Sequence, residues 1–162
     1  MKASLLTLLV AALATSYATV VPQQVAVLVP QQQDLTSGSV SSCASLTDSF
    51  AIESMEISPD PPKRGRPLDV KVRGYLNDQV DVGAYLQVRV KLGLFKLVDT
   101  RMDLCEEVKQ INMECPLEPG YYDIHHTADI PFEVPPGRYQ VHAELYHADG
   151  RNISCVNAAF RM

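Results

Sequence analysis

Nowhere does this chain of 162 residues hold the roughly 20 consecutive apolar residues that a membrane-spanning helix needs. It also has no Gly-x-Ser-x-Gly nucleophile turn, no phosphate-binding glycine loop and no His-Glu-x-x-His pair, so the commonest hydrolytic and nucleotide chemistries have no residues to run on. There is no Cys-x-x-Cys pair, and the histidines are not near the cysteines in sequence, which weighs against a zinc site. Positive charge is in deficit, with 14 Lys and Arg against 19 Asp and Glu and a net charge of −5. Nucleic-acid binding needs clustered positive charge, so that partner class is excluded. No solenoid-type repeat runs through the chain. The one short repetition is Val21-Pro22-Gln23-Gln24 recurring as Val29-Pro30-Gln31-Gln32.

The chain opens with Lys2, an apolar middle from Leu5 to Leu13, and the small-x-small site Ser16-Tyr17-Ala18. This order predicts a secretory signal over residues 1–18; the apolar run is too short for the alternative, a membrane anchor. The Gln, Val and Pro-rich segment 19–41 keeps neither a strand nor a helix period and predicts an unpacked leader or propeptide. One soluble domain over 42–162 is expected, a size that allows a proper core. Cys43, Cys105, Cys115 and Cys155 all follow the expected cut and are even in number, which in an oxidising compartment predicts two disulfides. Four cysteines allow three pairings and spacing does not choose among them. A short clip, Cys105 to Cys115, with a long staple, Cys43 to Cys155, is the simplest.

Period-2 alternation dominates from Phe50 onward. "SFAIESMEIS" alternates at Phe50 and Ile52 and then changes phase to Met55 and Ile57, the signature of one inserted residue in a bulged strand. "LDVKVRGYL", "GAYLQVRVKLG", "LFKLVDTRM", "YYDIHHTADI", "RYQVHAELYH" and "NISCVNAAF" follow, separated by turn residues. Leu104, Val108 and Ile111 fall at helical spacing and predict one short helix. About seven strands with regular turn signals predict an all-β fold, an immunoglobulin-like antiparallel β-sandwich of two sheets.

Within that frame the candidate polar residues are few. His125 and His126 are neighbours on a strand and must point to opposite faces, as must His142 and His147, five apart, so neither pair chelates. His126 shares an apolar face with Ile124 and Ala128. Glu106 and Glu107 solvate a loop or cap the short helix. Asn152-Ile153-Ser154 is a glycan acceptor motif, in which Asn152 and Ser154 are expected to point outward while Ile153 points in. "PPKRGRP" sets Lys63, Arg64 and Arg66 on a stiff turn, either as a solubilising loop or as an anion contact. The stretch from Val90 to Val98 carries Val90, Leu92, Leu94, Phe95, Leu97 and Val98 with little polar relief.

From Cys43 on, "EISPDPPKRGRPL", "GAYLQVRVKLGLFKL", "DLCEEV" followed by "CPLEPGYY", and the late Cys155 together resemble the ML lipid-recognition family of Niemann-Pick type C2-like carriers. The resemblance is greatest to the fungal phosphatidylglycerol/phosphatidylinositol transfer proteins. It implies two sheets splayed enough to admit one lipid, with Cys43 paired to Cys155 and Cys105 to Cys115. Animal relatives carry a further cysteine pair where this chain reads "SPDPPKRGRP". Matching the family's pocket segments implies a lining of Val88, Val90, Leu97, Phe132, Val134 and Val141, joined by Phe95 and Tyr139. Lys63, Arg64 and Lys96 are expected to meet a headgroup or a membrane surface. The function so implied is a non-catalytic carrier of phospholipid or sterol between membranes, without cofactor or metal. It is expected to be monomeric and to lie in the secretory pathway, either outside the cell or in the vacuolar lumen. The alternative is a co-receptor or secreted effector that holds a lipid without transferring it.

Overall fold

A computed structural model describes residues 36–162 of the chain. The expected signal peptide and the leader as far as residue 35 lie outside the described residues. Among the described residues nine strands occur: β1 (Thr36–Ser37), β2 (Val40–Ser42), β3 (Phe50–Ser58), β4 (Pro67–Leu76), β5 (Tyr85–Leu92), β6 (Phe95–Asp103), β7 (Gly120–Asp129), β8 (Arg138–Tyr146) and β9 (Asn152–Arg161). They form a six-stranded sheet, β1-β2-β9-β8-β5-β6, facing a three-stranded sheet, β3-β4-β7. Every pairing is antiparallel. The expected all-β sandwich is therefore present.

Three local features follow from the sequence. The phase change in β3 is a bulge between Ile52 and Ser54, as the alternation predicts. The turn from β5 to β6 has two residues, and Gly93 at φ 58° supplies the left-handed first position that such a hairpin needs. The helical spacing of Leu104, Val108 and Ile111 becomes the one-turn helix α1 (Leu104–Glu107) continued by a 3-10 turn, Val108–Ile111. Asp103 caps α1, its carboxylate accepting from the backbone N–H groups of Cys105 at 2.8 Å and Glu106 at 3.2 Å. The disulfide Cys105–Cys115 closes this segment, and Cys43–Cys155 joins the chain just after β2 to β9.

Two expectations are corrected. Residues 36–41, assigned to an unpacked leader, form a hairpin on the sheet edge, with Thr36–Ser37 in β1 and Val40 and Ser41 in β2: Val40 pairs with Ala158 and is buried against Ile52 and Met55. Their Ser and Gly-rich composition hides the one valine that docks them. Ser154 does not point outward but is buried. The β8–β9 register shifts between Leu145 and Tyr146, so Ser154 sits opposite Leu145, and a bulge of this kind puts consecutive residues on one side. Asn152 remains exposed.

The core is divided. One buried cluster, Leu76, Val80, Ala84, Leu104, Val108 and Ile153, fastens α1 to both sheets. The other, Val40, Ile52 and Met55, lies where β3 meets β2 and β9. Between them Val70, Val72, Leu86, Val88, Val90 and Val141 are only half-buried. A closed sandwich fills such inner positions completely; here the two layers do not.

Candidate functional site

At the end of the sandwich where β4 and β8 finish and β7 starts, the unfilled interior is a cavity of about 310 Å³. This lies at the low end of the roughly 300–1,000 Å³ of small-molecule sites. One wall is the segment 104–117, whose Leu104, Val108, Ile111, Met113 and Leu117 face inward. Leu117 is held there by reciprocal backbone hydrogen bonds with Val80, both 2.9 Å. The small sheet contributes Phe50, Leu76, Tyr122, Ile124 and His126, and the large sheet Leu145 and Ile153.

Polar groups in the lining are few and most are already engaged. Tyr122 donates its hydroxyl to the Glu118 carbonyl at 2.7 Å, and burial, reinforced by the Glu118 carboxylate, pushes its phenol above the ordinary value. Glu107 accepts from the Gln110 amide at 3.0 Å. His126 projects inward and His125 outward, where His125 lies 3.7 Å from Asp69, as neighbours on a strand must. Ser154 Oγ, buried beside Ile153, has no hydrogen-bond partner among the described residues.

None of the eight residues expected to line the pocket lines this cavity. Val88, Val90 and Val141 lie further along the inner faces of β5 and β8, with Val90 directly opposite Val141. They are half-buried and lie toward the other end of the sandwich. Tyr139 is buried, stacked on Phe160 at 5.8 Å with its hydroxyl donated to Pro135 O at 2.6 Å, and so anchors a loop. Val134 is half-buried on that loop. Phe95, Leu97 and Phe132 are 77%, 48% and 70% exposed. The resemblance assigns residues to pocket segments and alternation tells which face each takes, but neither gives the height along the strand at which the interior is empty. The helical triplet Leu104, Val108, Ile111 is the feature of the sequence that marks this wall.

The opposite end, where β7 passes into β8, gathers the turn 59–66, the loop 130–137 and the β5–β6 hairpin, whose Gly93 N–H donates to Arg138 O at 2.8 Å. Here Leu94 is 99% exposed, close in sequence to exposed Phe95 and Leu97. Lys63, Arg64 and Arg66 form no ion pair among the described residues, whereas Lys96 is bound to Asp99 at 2.9 Å. That hydrogen bond, opposed in part by desolvation, holds the Asp99 carboxyl below the usual carboxylate range. The cavity end carries Asp103, Glu106, Glu107, Glu114 and Glu118, with Lys109 paired to Glu106, while the far end holds Lys63, Arg64 and Arg66 together with Asp60, Asp69 and Glu133.

Among the described residues, other clusters offer no comparable site. The sulfurs of Cys43 and Cys155 lie near His142, but they are bonded to each other and neither is a thiolate ligand. His147 is buried with Ser49 Oγ at 2.8 Å.

A family model described as ML domain matches residues 37–162. A phosphatidylglycerol/phosphatidylinositol transfer protein of Pyricularia oryzae is 41% identical over 114 residues, 70% of this chain and 64% of that protein. One of Aspergillus fumigatus is 42% identical over 107 residues, 66% and 61% respectively. The chain thus spans less than two thirds of the length of these curated relatives. Among solved structures, a Niemann-Pick type C2 protein from the Japanese carpenter ant aligns with a TM-score of 0.53 at 16% identity, over 74% of this chain and 96% of that one. Chicken MD-1 complexed with lipid IVa aligns with a TM-score of 0.51 at 15% identity, over 79% and 94%. At that identity the two share the fold.

Proposed function

Because the chain belongs to the ML domain family, we propose that it carries a single lipid between membranes, with the lipid's chains taking the place of the missing core. The observation that carries this reading is the apolar cavity of about 310 Å³ between the sheets, together with the incomplete burial of inward-facing Val88, Val90 and Val141. Moving a lipid chain through water costs about 0.8 kcal/mol per methylene, on the order of 10 kcal/mol for a whole chain. A dry cavity removes most of that cost. The passenger is an anionic phospholipid of the phosphatidylglycerol or phosphatidylinositol type, the lipids for which the fungal relatives are named. Its chains point to the α1 end and its headgroup to Lys63, Arg64 and Arg66, an orientation supported by three neighbouring cations that form no ion pair among the described residues. The exposed Leu94, Phe95 and Phe132 beside those cations fit brief contact with an anionic bilayer. Two disulfides suit the secretory pathway; within it we infer extracellular space or vacuolar lumen.

Two measurements test the reading. Purified protein should move fluorescent phosphatidylglycerol between liposomes in proportion to its concentration, and native mass spectrometry should find one lipid per chain. Binding without transfer would leave a lipid-presenting protein in its place. Material that never takes up a lipid would end the proposal.

A further inference from the structure

The loop between β7 and β8 is pinned at both ends. Ile130 exchanges backbone hydrogen bonds with the turn before β4, accepting from Gly65 N–H at 2.8 Å and donating to Arg66 O at 3.3 Å. At the other end Tyr139 holds Pro135 and Gly137 N–H donates to Met162 O at 2.9 Å. Only the span from Pro131 to Val134 lacks such ties to the sheets, and one side chain crosses it. Arg64 lays its guanidinium 5.4 Å from the centre of the Phe132 ring and donates from Nη1 to Val134 O at 3.4 Å. Gly65, left-handed at φ 67°, makes the turn that brings Arg64 to the ring; a Cβ there would touch the ring at 3.4 Å, an ordinary contact, so its backbone angle is what favours glycine.

We propose that Arg64 is a phosphate-exchangeable latch: a phosphate ester draws its guanidinium away from Phe132 and Val134 and frees residues 131–134 at the mouth of the interior. The proposal rests on the carrier reading for what then passes the mouth. Both contacts that hold the latch are weak. The hydrogen bond is at the long limit for its kind, and a cation over an exposed ring gains little because water competes for the charge. A phosphate accepts two parallel N–H bonds from one guanidinium, and such charge-assisted bonds are roughly twice as strong as neutral ones. Lys63 and Arg66, on either side and without ion pairs among the described residues, add attraction for an anion and none for the ring, against the carboxylates of Asp69, which shares their groove, and Glu133 in the span itself. The freed span carries Phe132, already 70% exposed, so release uncovers little new apolar surface. The headgroup is thereby read before the chains are admitted, which makes Arg64 a positioning residue for loading.

The chain contains no tryptophan, so Phe132→Trp gives a single reporter on the latch. Emission of this protein is followed against monomeric dihexanoyl phosphatidylglycerol, against dihexanoylglycerol with the same chains but no phosphate, and against inorganic phosphate. The phospholipid should shift the emission and the glyceride should not. An equal shift with inorganic phosphate means that the free anion suffices, and a shift with the phospholipid alone means that the phosphate must arrive on a lipid; either supports the latch. Adding Arg64→Gln should place the emission at its phosphate-saturated position before any ligand is present and abolish the response. Arg64→Lys, which keeps the charge without the fork, should need at least tenfold more phospholipid. Unchanged emission in the Arg64→Gln protein, or a matching shift with the glyceride, overturns the latch. If native mass spectrometry finds no lipid bound, the carrier reading falls, and the inorganic phosphate arm still tests the latch.

Discussion

Replacing Ile124 by Trp separates a cavity kept open for a passenger from an ordinary core. Ile124 is half-buried on β7 and faces the 310 Å³ space. In a filled core such an enlargement forces side chains off their rotamers and costs about 1–3 kcal/mol. Here the larger ring has room. If it covers about 50 Å² more apolar surface, at about 25 cal/mol per Å², the lipid-free protein gains on the order of 1 kcal/mol. Urea denaturation with the disulfides intact reads this directly. With a slope of about 1–3 kcal/mol per M, the midpoint should rise by roughly half a molar. Lipid binding should move the other way, because a ring in place of two or three methylenes of the chain forfeits about 2 kcal/mol at ~0.8 kcal/mol each, roughly thirtyfold in affinity. A substitution that lowers the urea midpoint while leaving lipid uptake unchanged would refute the reasoning, since it would mean that this space is closed core in solution.

Three further outcomes are expected. The disulfides should differ in what they protect. Loop-closure entropy gives roughly 5 kcal/mol for Cys43–Cys155, separated by 112 residues, and roughly 3 kcal/mol for Cys105–Cys115, separated by 10, so removing the first should lower the urea midpoint more. Removing the second should raise the lipid off-rate more, because it loosens the cavity wall. Asp103→Ala, which uncaps α1, should cost about 0.5–2 kcal/mol and speed amide exchange over residues 104–108 without affecting the far end of the sheets. For Asp99, whose carboxyl Lys96 holds below the usual range, the folded value lies under the unfolded one. Its contribution is therefore present above the ordinary carboxylate pKa and lost as pH falls through the depressed folded value. Carboxyl NMR titration of Lys96→Met should show Asp99 moving back up.

What the chain's order of residues determined by itself was local. Alternation set the strands, the phase slip from Ile52 to Met55 marked the β3 bulge, and the spacing of Leu104, Val108 and Ile111 marked the turn of helix, because each is a periodicity read over a few neighbours. The even count of cysteines likewise announced two bridges, though not their partners. Tertiary structure alone decided that Ser154 turns inward, since that depends on how β9 slips against β8. It also set the level at which the interior stays empty: Tyr122 and Ile124 face a cavity while Val40 and Met55, with the same alternation, face solid core. Only folding brought Arg64 onto Phe132 and Val134, the last 70 positions away. Strand periodicity carries no information about height or separation between sheets; those are fixed by which side chains meet across the layers, and here by where too few of them do.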